Sequence, residues 1–259
     1  MAGKKPQRNT WAFGFLGLAV LLGLWQWAHL SYGSFILPGL DETAIALLRM
    51  IEKGIVGPAL ALTAANAATG WLIGMLAGTL AGTLAGLRDE IRFTLQPVAM
   101  ILLGVPAIAW IVLALLWFGG RWAVIFTIAV ATAPIVYTAA AQGVGSLDGA
   151  LARMARAFRT PFSAMAFDVY GPHMLGYLFP ALATTLAMSW KVSVMAELLS
   201  GSGGIGDGIA TARVRMDSAE TMAWIVVVVC VLIVFDHLIL QPLQRRMEFW
   251  RDTARRRSS

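Results

Sequence analysis

The sequence predicts an all-α, polytopic membrane protein with six transmembrane helices. Three observations support this prediction. First, 58% of the 259 residues are hydrophobic and only 13% are charged, whereas soluble domains carry about 25% charged residues. Second, the mean hydropathy is +0.72, and six apolar segments are long enough to cross a bilayer. Third, the Lys and Arg residues are unequally divided between the two sides that those segments define.

The six apolar segments each meet the length of about 20 residues that a membrane-spanning helix needs. In order, the predicted spans are 11–30, 57–87, 93–118, 122–144, 174–199 and 220–241. The first follows the basic stretch KKPQR and could be a signal peptide. We interpret it as a retained span because it is long and no clear small-x-small cleavage motif follows it.

Prolines interrupt three of the spans. Pro97 and Pro106 lie in the third, Pro134 in the fourth and Pro180 in the fifth. A proline frees a backbone carbonyl and bends the helix, which is tolerated in a membrane only where protein or water satisfies that group. Bent helices of this kind are common in transporters and channels, although kinks without a role also occur.

The distribution of positive charge orients the spans. Of the 20 Lys and Arg residues, 14 lie in the segments of one side, five on the other, and Lys191 lies inside a span. Because cytoplasmic loops carry the excess of Lys and Arg, we expect both termini in the cytoplasm. An even number of spans agrees with this expectation.

The second span contains glycine at every fourth position. A four-residue interval places the glycines on one helix face, where a second helix can approach closely. We therefore expect close helix packing at this stripe, which consists of Gly70, Gly74, Gly78, Gly82 and Gly86.

The longest connection, between spans four and five, has the pattern of an amphipathic helix. Its apolar residues repeat at intervals of 4, 3 and 4, and arginines lie between them. Such a helix could lie on an anionic lipid surface or fill a groove on a soluble partner, and periodicity alone leaves both open. The apolar residues are Leu147, Leu151, Met154 and Phe158.

Several functional classes are disfavoured by the sequence. The glycine-rich stretch GSGGIG (201–206) follows an apolar helix rather than a strand, and Asp207 stands where a phosphate loop has lysine. The three histidines show no metal-ligand spacing, so no metal site is expected. The single cysteine, Cys230, excludes an intrachain disulfide. A net charge of +6 is accounted for by membrane topology and does not indicate nucleic acid binding.

Two ionisable residues in the fifth span are candidates for function. Lys191 and Glu197 lie at membrane depth, where charged groups usually face a protein interior or an aqueous cavity. Six residues separate them, so they point to different sides of a helix and are not expected to pair. No serine–histidine, metal-ligand or paired-carboxylate arrangement surrounds Glu197, which disfavours an enzyme.

Four motifs together resemble those of one transporter family. They are VPAIAWIVLALLWFGG (105–120), MARAFRTPF (154–162), SWKVSVMAELLSGSGGIGDGI (189–209) and LQRRMEFWR (243–251). In this order they are similar to motifs of the permease subunits of binding-protein-dependent ABC importers. The resemblance covers residues 55–251 and is strongest to the branch for taurine, alkanesulfonates, nitrate or bicarbonate.

The resemblance implies a type I importer fold and several site residues. An ATPase-coupling helix would include Leu147, Leu151, Met154, Ala155, Arg156 and Phe158. Candidates for the pathway or gate are Pro106, Trp110, Trp190, Lys191 and Glu197, with Glu197 near the outer gate or the interface between two permeases. Surface residues that could contact a binding protein are Arg213, Arg215 and Asp217.

The resemblance also implies partners and a location. We expect a second permease copy, identical or different, two ATP-binding subunits, a soluble substrate-binding protein and the bacterial inner membrane. ATP and Mg would be used by the ATPase, and no cofactor by this chain. The expected organisation is an N-terminal span and external segment (1–54), a permease core (55–251) with a coupling loop (145–172), and a basic tail (252–259). The alternative function is a secondary transporter or channel that is not driven by ATP.

Overall fold

The computed structural model describes residues 10–146, 171–240 and 242, and every regular element in these ranges is helical. The helices are α1 (Thr10–Tyr32), α2 (Leu40–Glu52), α3 (Val56–Leu87), α4 (Asp89–Gly104), α5 (Ala107–Trp117), α6 (Gly120–Gly145), α7 (Gly171–Ser200), α8 (Gly204–Val214) and α9 (Ser218–Phe235), the last followed by a π-helical turn (Asp236–Leu240).

Five of these helices are long and apolar enough to cross a membrane, and they match five of the predicted spans. The third predicted span is different, because it is divided into α4 and α5, whose axes meet at 99°. The break falls at Val105, which is extended (φ −81°, ψ 125°) because a residue before proline avoids the helical conformation. Pro97 was also expected to interrupt this span, but it lies inside α4.

α3 and α6 run parallel to each other. Gly70 lies against Ile128, Gly78 against Val136 and Gly86 against Val144, so position advances in the same direction on both helices. The intervening pair α4–α5 must therefore carry the chain from the end of α3 back to the end where α6 begins. The bent pair thus acts as a sixth crossing, although it is not a single straight helix.

The glycine stripe of α3 makes this close approach possible. A Cβ atom at Gly70 would lie 2.6 Å from the Ile128 Cβ, and one at Gly78 would lie 2.8 Å from the Val136 Cβ. All five glycines predicted to pack closely, Gly70, Gly74, Gly78, Gly82 and Gly86, face α6 in this way. Side chains on the opposite face of α3, such as Leu76 and Leu80, are exposed.

α7 is antiparallel to both α3 and α6. On α3, Trp71 Nε1 donates a hydrogen bond of 3.0 Å to Thr185 Oγ1, whereas Thr63 lies beside Glu197. On α6, Val124 and Ala131 share a buried cluster with Val192 and Ala196. The three helices form the central packing of the chain.

Three further helices surround one end of this centre. α8, α9 and α2 join it through a buried cluster that includes Met50, Trp190, Ile205 and Trp224. α1 is different, because no residue of its apolar segment, Phe13–Tyr32, is buried against the rest of the described chain. Its carboxyl end is held by a hydrogen bond of 2.9 Å from Trp25 Nε1 to the Pro38 carbonyl oxygen.

Candidate functional site

Glu197 lies at the meeting point of α3, α7 and α8 and is 0% exposed. Its carboxylate accepts four hydrogen bonds. Oε2 accepts from Thr63 Oγ1 at 2.7 Å and from the Gly206 amide at 3.4 Å. Oε1 accepts from Asn66 Nδ2 at 3.0 Å and from Ser193 Oγ at 3.2 Å. Because burying a carboxylate is costly unless it is hydrogen-bonded, these donors explain how the side chain is tolerated there.

The hydrogen bonds extend from the carboxylate to α6 and α8. Arg121 Nε, at the start of α6, donates a bond of 2.8 Å to Asn66 Oδ1. Thr63 Oγ1 also accepts the Ile205 amide at 2.9 Å. A chain of hydrogen bonds therefore links four helices through Glu197, and we call Thr63, Asn66, Arg121, Ser193 and Glu197 the Glu197 network.

The glycines after α7 allow α8 to approach this carboxylate. Gly203 and Gly204 have positive φ angles of 83° and 88°, which glycine adopts without strain. A Cβ atom at Gly204 would collide with the Glu197 carboxylate. The second half of the glycine-rich stretch is not an exposed turn, because Gly204 and Gly206 are buried and already belong to α8.

The Glu197 carboxylate is enclosed by its own chain. Its hydrogen-bond partners come from α3, α7 and α8 of one molecule, and none of its surface is accessible. Its location near the outer gate or near the interface between two permeases stays a prediction. Its closeness to the loop between α7 and α8 keeps it a candidate for organising one end of the bundle.

Lys191 lies on a different face of α7 and is exposed. Among the described residues it has no hydrogen-bond or salt-bridge partner. Thr184 and Met195 are exposed on the same face, whereas Ser193 and Glu197 face α3. Lys191 and Glu197 thus do not pair, in agreement with their spacing.

The other predicted pathway residues occupy three different environments. Pro106 is exposed at the bend before α5. Trp110 is half-buried on α5, and its Nε1 has no hydrogen-bond partner in the part of the chain that the structure describes. Trp190 is 4% exposed and packs in the cluster with Ile205 and Trp224, so it has little surface available to a passing solute.

The predicted coupling residues lie outside the described residues. They are Leu147, Leu151, Met154, Ala155, Arg156 and Phe158, and their role stays a prediction. The three candidate contacts for a binding protein are described. Arg213 is exposed, Arg215 forms a salt bridge of 2.7 Å with Glu220, and Asp217 caps α9 by accepting the Glu220 amide.

The sequence did not identify four members of the Glu197 network, namely Thr63, Asn66, Arg121 and Ser193. A signal was present, since Thr63 and Asn66 stand three positions apart in an apolar helix and so share a face. Their pairing with Glu197 spans more than 130 positions, which no local pattern reveals. The hydroxyl groups beside the Glu197 carboxylate are 0% exposed, so the arrangement is suited to holding helices together rather than to bond chemistry.

Comparison with known proteins gives the family. Residues 70–248 match the family described as "Binding-protein-dependent transport system inner membrane component". An aliphatic sulfonates transport permease protein of Escherichia coli (strain K12), SsuC, so named provisionally, is 31% identical over 217 residues, which cover 82% of this chain and 80% of the relative. Its namesake from Bacillus subtilis (strain 168), named in the same way, is 28% identical and covers 96% of this chain and 92% of the relative.

More distant matches are also components of transport systems. The taurine transport system permease protein of Escherichia coli (strain K12) is 27% identical over 63% of this chain and 60% of its own length. Among solved structures, the inward-facing MetNI methionine ABC transporter has a chain with the same fold, with a TM-score of 0.63 at 18% identity. The likeness covers 76% of this chain and 96% of that one. The match over residues 70–248 establishes that this chain belongs to the family of inner-membrane permease components of binding-protein-dependent ABC transport systems.

Proposed function

We propose that this permease carries a small organic or inorganic anion, with an alkanesulfonate as the first candidate, from a soluble binding protein into the cytoplasm. Two ATP-binding subunits would supply the energy by ATP hydrolysis, and a second permease copy would complete the pathway. Both termini would lie in the cytoplasm. The names of the relatives, which include sulfonate, taurine and nitrate permeases, support the choice of an anion.

The observation that carries the choice of substrate class is the position of Lys191. Nine residues separate it from Ser200 at the end of α7, or about 14 Å at 1.5 Å per residue. An exposed ammonium group at that depth is unfavourable against hydrocarbon and usually faces a protein or an aqueous cavity. We therefore propose that this face of α7 lines the pathway, opposite the second permease copy, and that Lys191 attracts the anion.

The change between an outward-open and an inward-open pathway is proposed to begin at the coupling helix. Closure of the ATPase dimer would push residues 147–158, and the displacement would pass to α6 and α7, whose ends flank that segment in the sequence. Pro134 within α6 and Pro180 within α7 are positions where these helices can bend, because proline removes a backbone hydrogen bond.

The first experiment is purification of the chain from its native membrane in mild detergent, followed by identification of co-purifying proteins and ATP turnover. We expect an ATPase whose turnover rises with a soluble binding protein, and the ligand of that binding protein identifies the substrate. A chain that purifies alone and transports in vesicles without ATP would contradict the proposal and favour a secondary carrier.

The Lys191→Met substitution tests the proposed substrate contact. We expect anion uptake into proteoliposomes to fall at least tenfold, because the positive charge facing the pathway is lost, whereas the amount of assembled complex stays unchanged. Lys191→Arg keeps the charge and is the matched control, from which we expect substantial residual uptake. Loss of assembly in Lys191→Met would show instead that the side chain is structural.

A further inference from the structure

A cleft of about 590 Å³ lies between α4, the last turns of α6 and the first turns of α7. In the orientation of the proposed function, this end of the bundle lies in the cytoplasm. Tyr177, which lines the cleft, precedes Lys191 by 14 residues on α7, or about 21 Å at 1.5 Å per residue. Tyr177 and Lys191 are thus exposed on the same face of α7, but the cleft lies far from Lys191 along the helix axis.

The lining of the cleft is rich in hydrogen-bond donors. Its polar side chains include one guanidinium group, two carboxamides and two phenols, contributed by Arg92, Gln96, Gln142, Tyr137 and Tyr177. The described lining contains no Asp or Glu. A cavity whose described lining has one fixed cation, several neutral donors and no carboxylate has the chemistry of an anion site.

Arg92 is available to a ligand despite having a carboxylate neighbour. Its guanidinium lies 3.5 Å from Asp89, but the two side chains are 46% and 76% exposed. An exposed ion pair of this kind contributes little free energy, about 0–1 kcal/mol. A ligand oxyanion in the cleft could therefore compete for the guanidinium or share it.

Tyr137 provides an independent indication of a ligand. The residue is 6% exposed, and its hydroxyl has no hydrogen-bond partner among the described residues. Buried hydroxyl groups nearly always have a partner, and leaving one without is costly. In this cleft, an oxygen atom of a bound anion would provide the missing acceptor.

We propose that this cleft binds a small organic anion with a sulfonate or carboxylate headgroup from the cytoplasmic side. Arg92 contacts the headgroup oxygens, and Gln96, Gln142 and Tyr137 donate hydrogen bonds to them. Such a site is filled only when the anion has accumulated in the cytoplasm, so its occupancy follows the cytoplasmic concentration of the anion. The choice of an anion comes from the lining, whereas the cytoplasmic placement rests on the orientation in the proposed function.

The test measures binding of ethanesulfonate by calorimetry to the complete complex in nanodiscs of neutral phosphatidylcholine. We expect Arg92→Gln to weaken binding at least tenfold. The matched control is Arg88→Gln, which removes an exposed arginine that does not line the cleft, and it should bind within twofold of the wild type.

Tyr137→Phe separates a ligand contact from a structural role. We expect it to weaken ethanesulfonate binding about fivefold while the melting temperature of the ligand-free complex stays the same or rises, because the substitution removes a buried hydroxyl without a partner. A parallel fall of binding and melting temperature would overturn the ligand role of Tyr137 and with it the proposed site.

Two further outcomes would overturn the proposal. They are absence of ethanesulfonate binding to the wild type at 10 mM and unchanged binding by Arg92→Gln. Competition by added phosphatidylglycerol would show that the cleft holds a lipid headgroup instead. Failure of the proposed function is recognised separately, by uptake without ATP, and Arg92-dependent binding could survive that result.

Discussion

At the scale of single residues, Glu197 illustrates how a membrane protein tolerates a buried acid. Thr63, Asn66, Ser193 and the Gly206 amide all donate to its carboxylate. Thr63 and Ser193 also donate to the carbonyl oxygens of Ala59 and Thr63. Without the acid, the Asn66 carboxamide and the Gly206 amide would lose their acceptor, and a buried donor without a partner is costly. The network therefore fixes α8 against α3 and α7, provided that all of its members are present.

We expect Glu197→Gln to destabilise the complex by about 1–3 kcal/mol, because a carboxamide offers one acceptor oxygen to four donors and leaves some unsatisfied. The measurement is the melting temperature of the reconstituted complex. Glu52→Gln, at an exposed position at the end of α2, is the control and should change stability by less than about 0.5 kcal/mol. Equal melting of both variants would contradict the structural role of Glu197.

At the scale of helices, α3 and α6 are held together by the close fit of their surfaces. Glycines of α3 lie against the backbone and the β-carbons of α6, such as the Ala133 carbonyl and the Val136 Cβ beside Gly78. In a membrane, association of helices depends on close van der Waals contact, since hydrocarbon surrounds both the packed and the separated helices. A single methyl group added to this contact should therefore destabilise the packing of α3 against α6.

Gly78→Ala is expected to cost about 1–3 kcal/mol through overpacking, seen as a lower melting temperature and a smaller yield of assembled complex. Gly176→Ala is the matched control, because no atom lies within 4 Å of a Cβ placed there on α7. That variant should match the wild type or gain up to about 1 kcal/mol from the helix propensity of alanine. A loss of stability in Gly176→Ala alone would contradict the packing described.

At the scale of the whole molecule, the parallel arrangement of α3 and α6 determines which connections share a side of the membrane. Asp89, after α3, and Ser146, after α6, must lie on one side, whereas Lys53, before α3, must lie on the other. If α4–α5 instead returned to the side from which it began, α6 would run antiparallel to α3, and Ser146 would lie opposite Asp89.

Labelling of single cysteines with a membrane-impermeant maleimide tests this topology in a Cys230→Ser background. We expect Asp89→Cys and Ser146→Cys to be labelled only after the cells are opened, and Lys53→Cys to be labelled in intact cells. All three residues are exposed, so accessibility depends on side alone. Labelling of Ser146→Cys in intact cells, with Asp89→Cys protected, would show that α4–α5 is a re-entrant loop.

Local patterns predicted most of the helices and the packing stripe, because apolar length and the four-residue glycine interval are properties of neighbouring residues. The bend at Pro106 was foreseen only as an interruption, since its angle depends on how α5 packs against α6 and α7. The Glu197 network could not be predicted, because Thr63 and Asn66 meet Glu197 only after three helices have assembled. The buried position of Gly204 was missed for the same reason.

The glycine face of α3 also imposes an order on biogenesis. Gly78 and its neighbour Ala133 lie 55 positions apart, so a ribosome adding about 5–20 residues per second needs roughly 3–11 s to make the second after the first. During that interval α6 is not yet available to the glycine stripe of α3. Because α4–α5 precedes α6 in the chain, this bent pair must be inserted before α6 can pack against the glycine stripe. The packing of α3 against α6 is therefore completed only after α4–α5 has crossed the membrane.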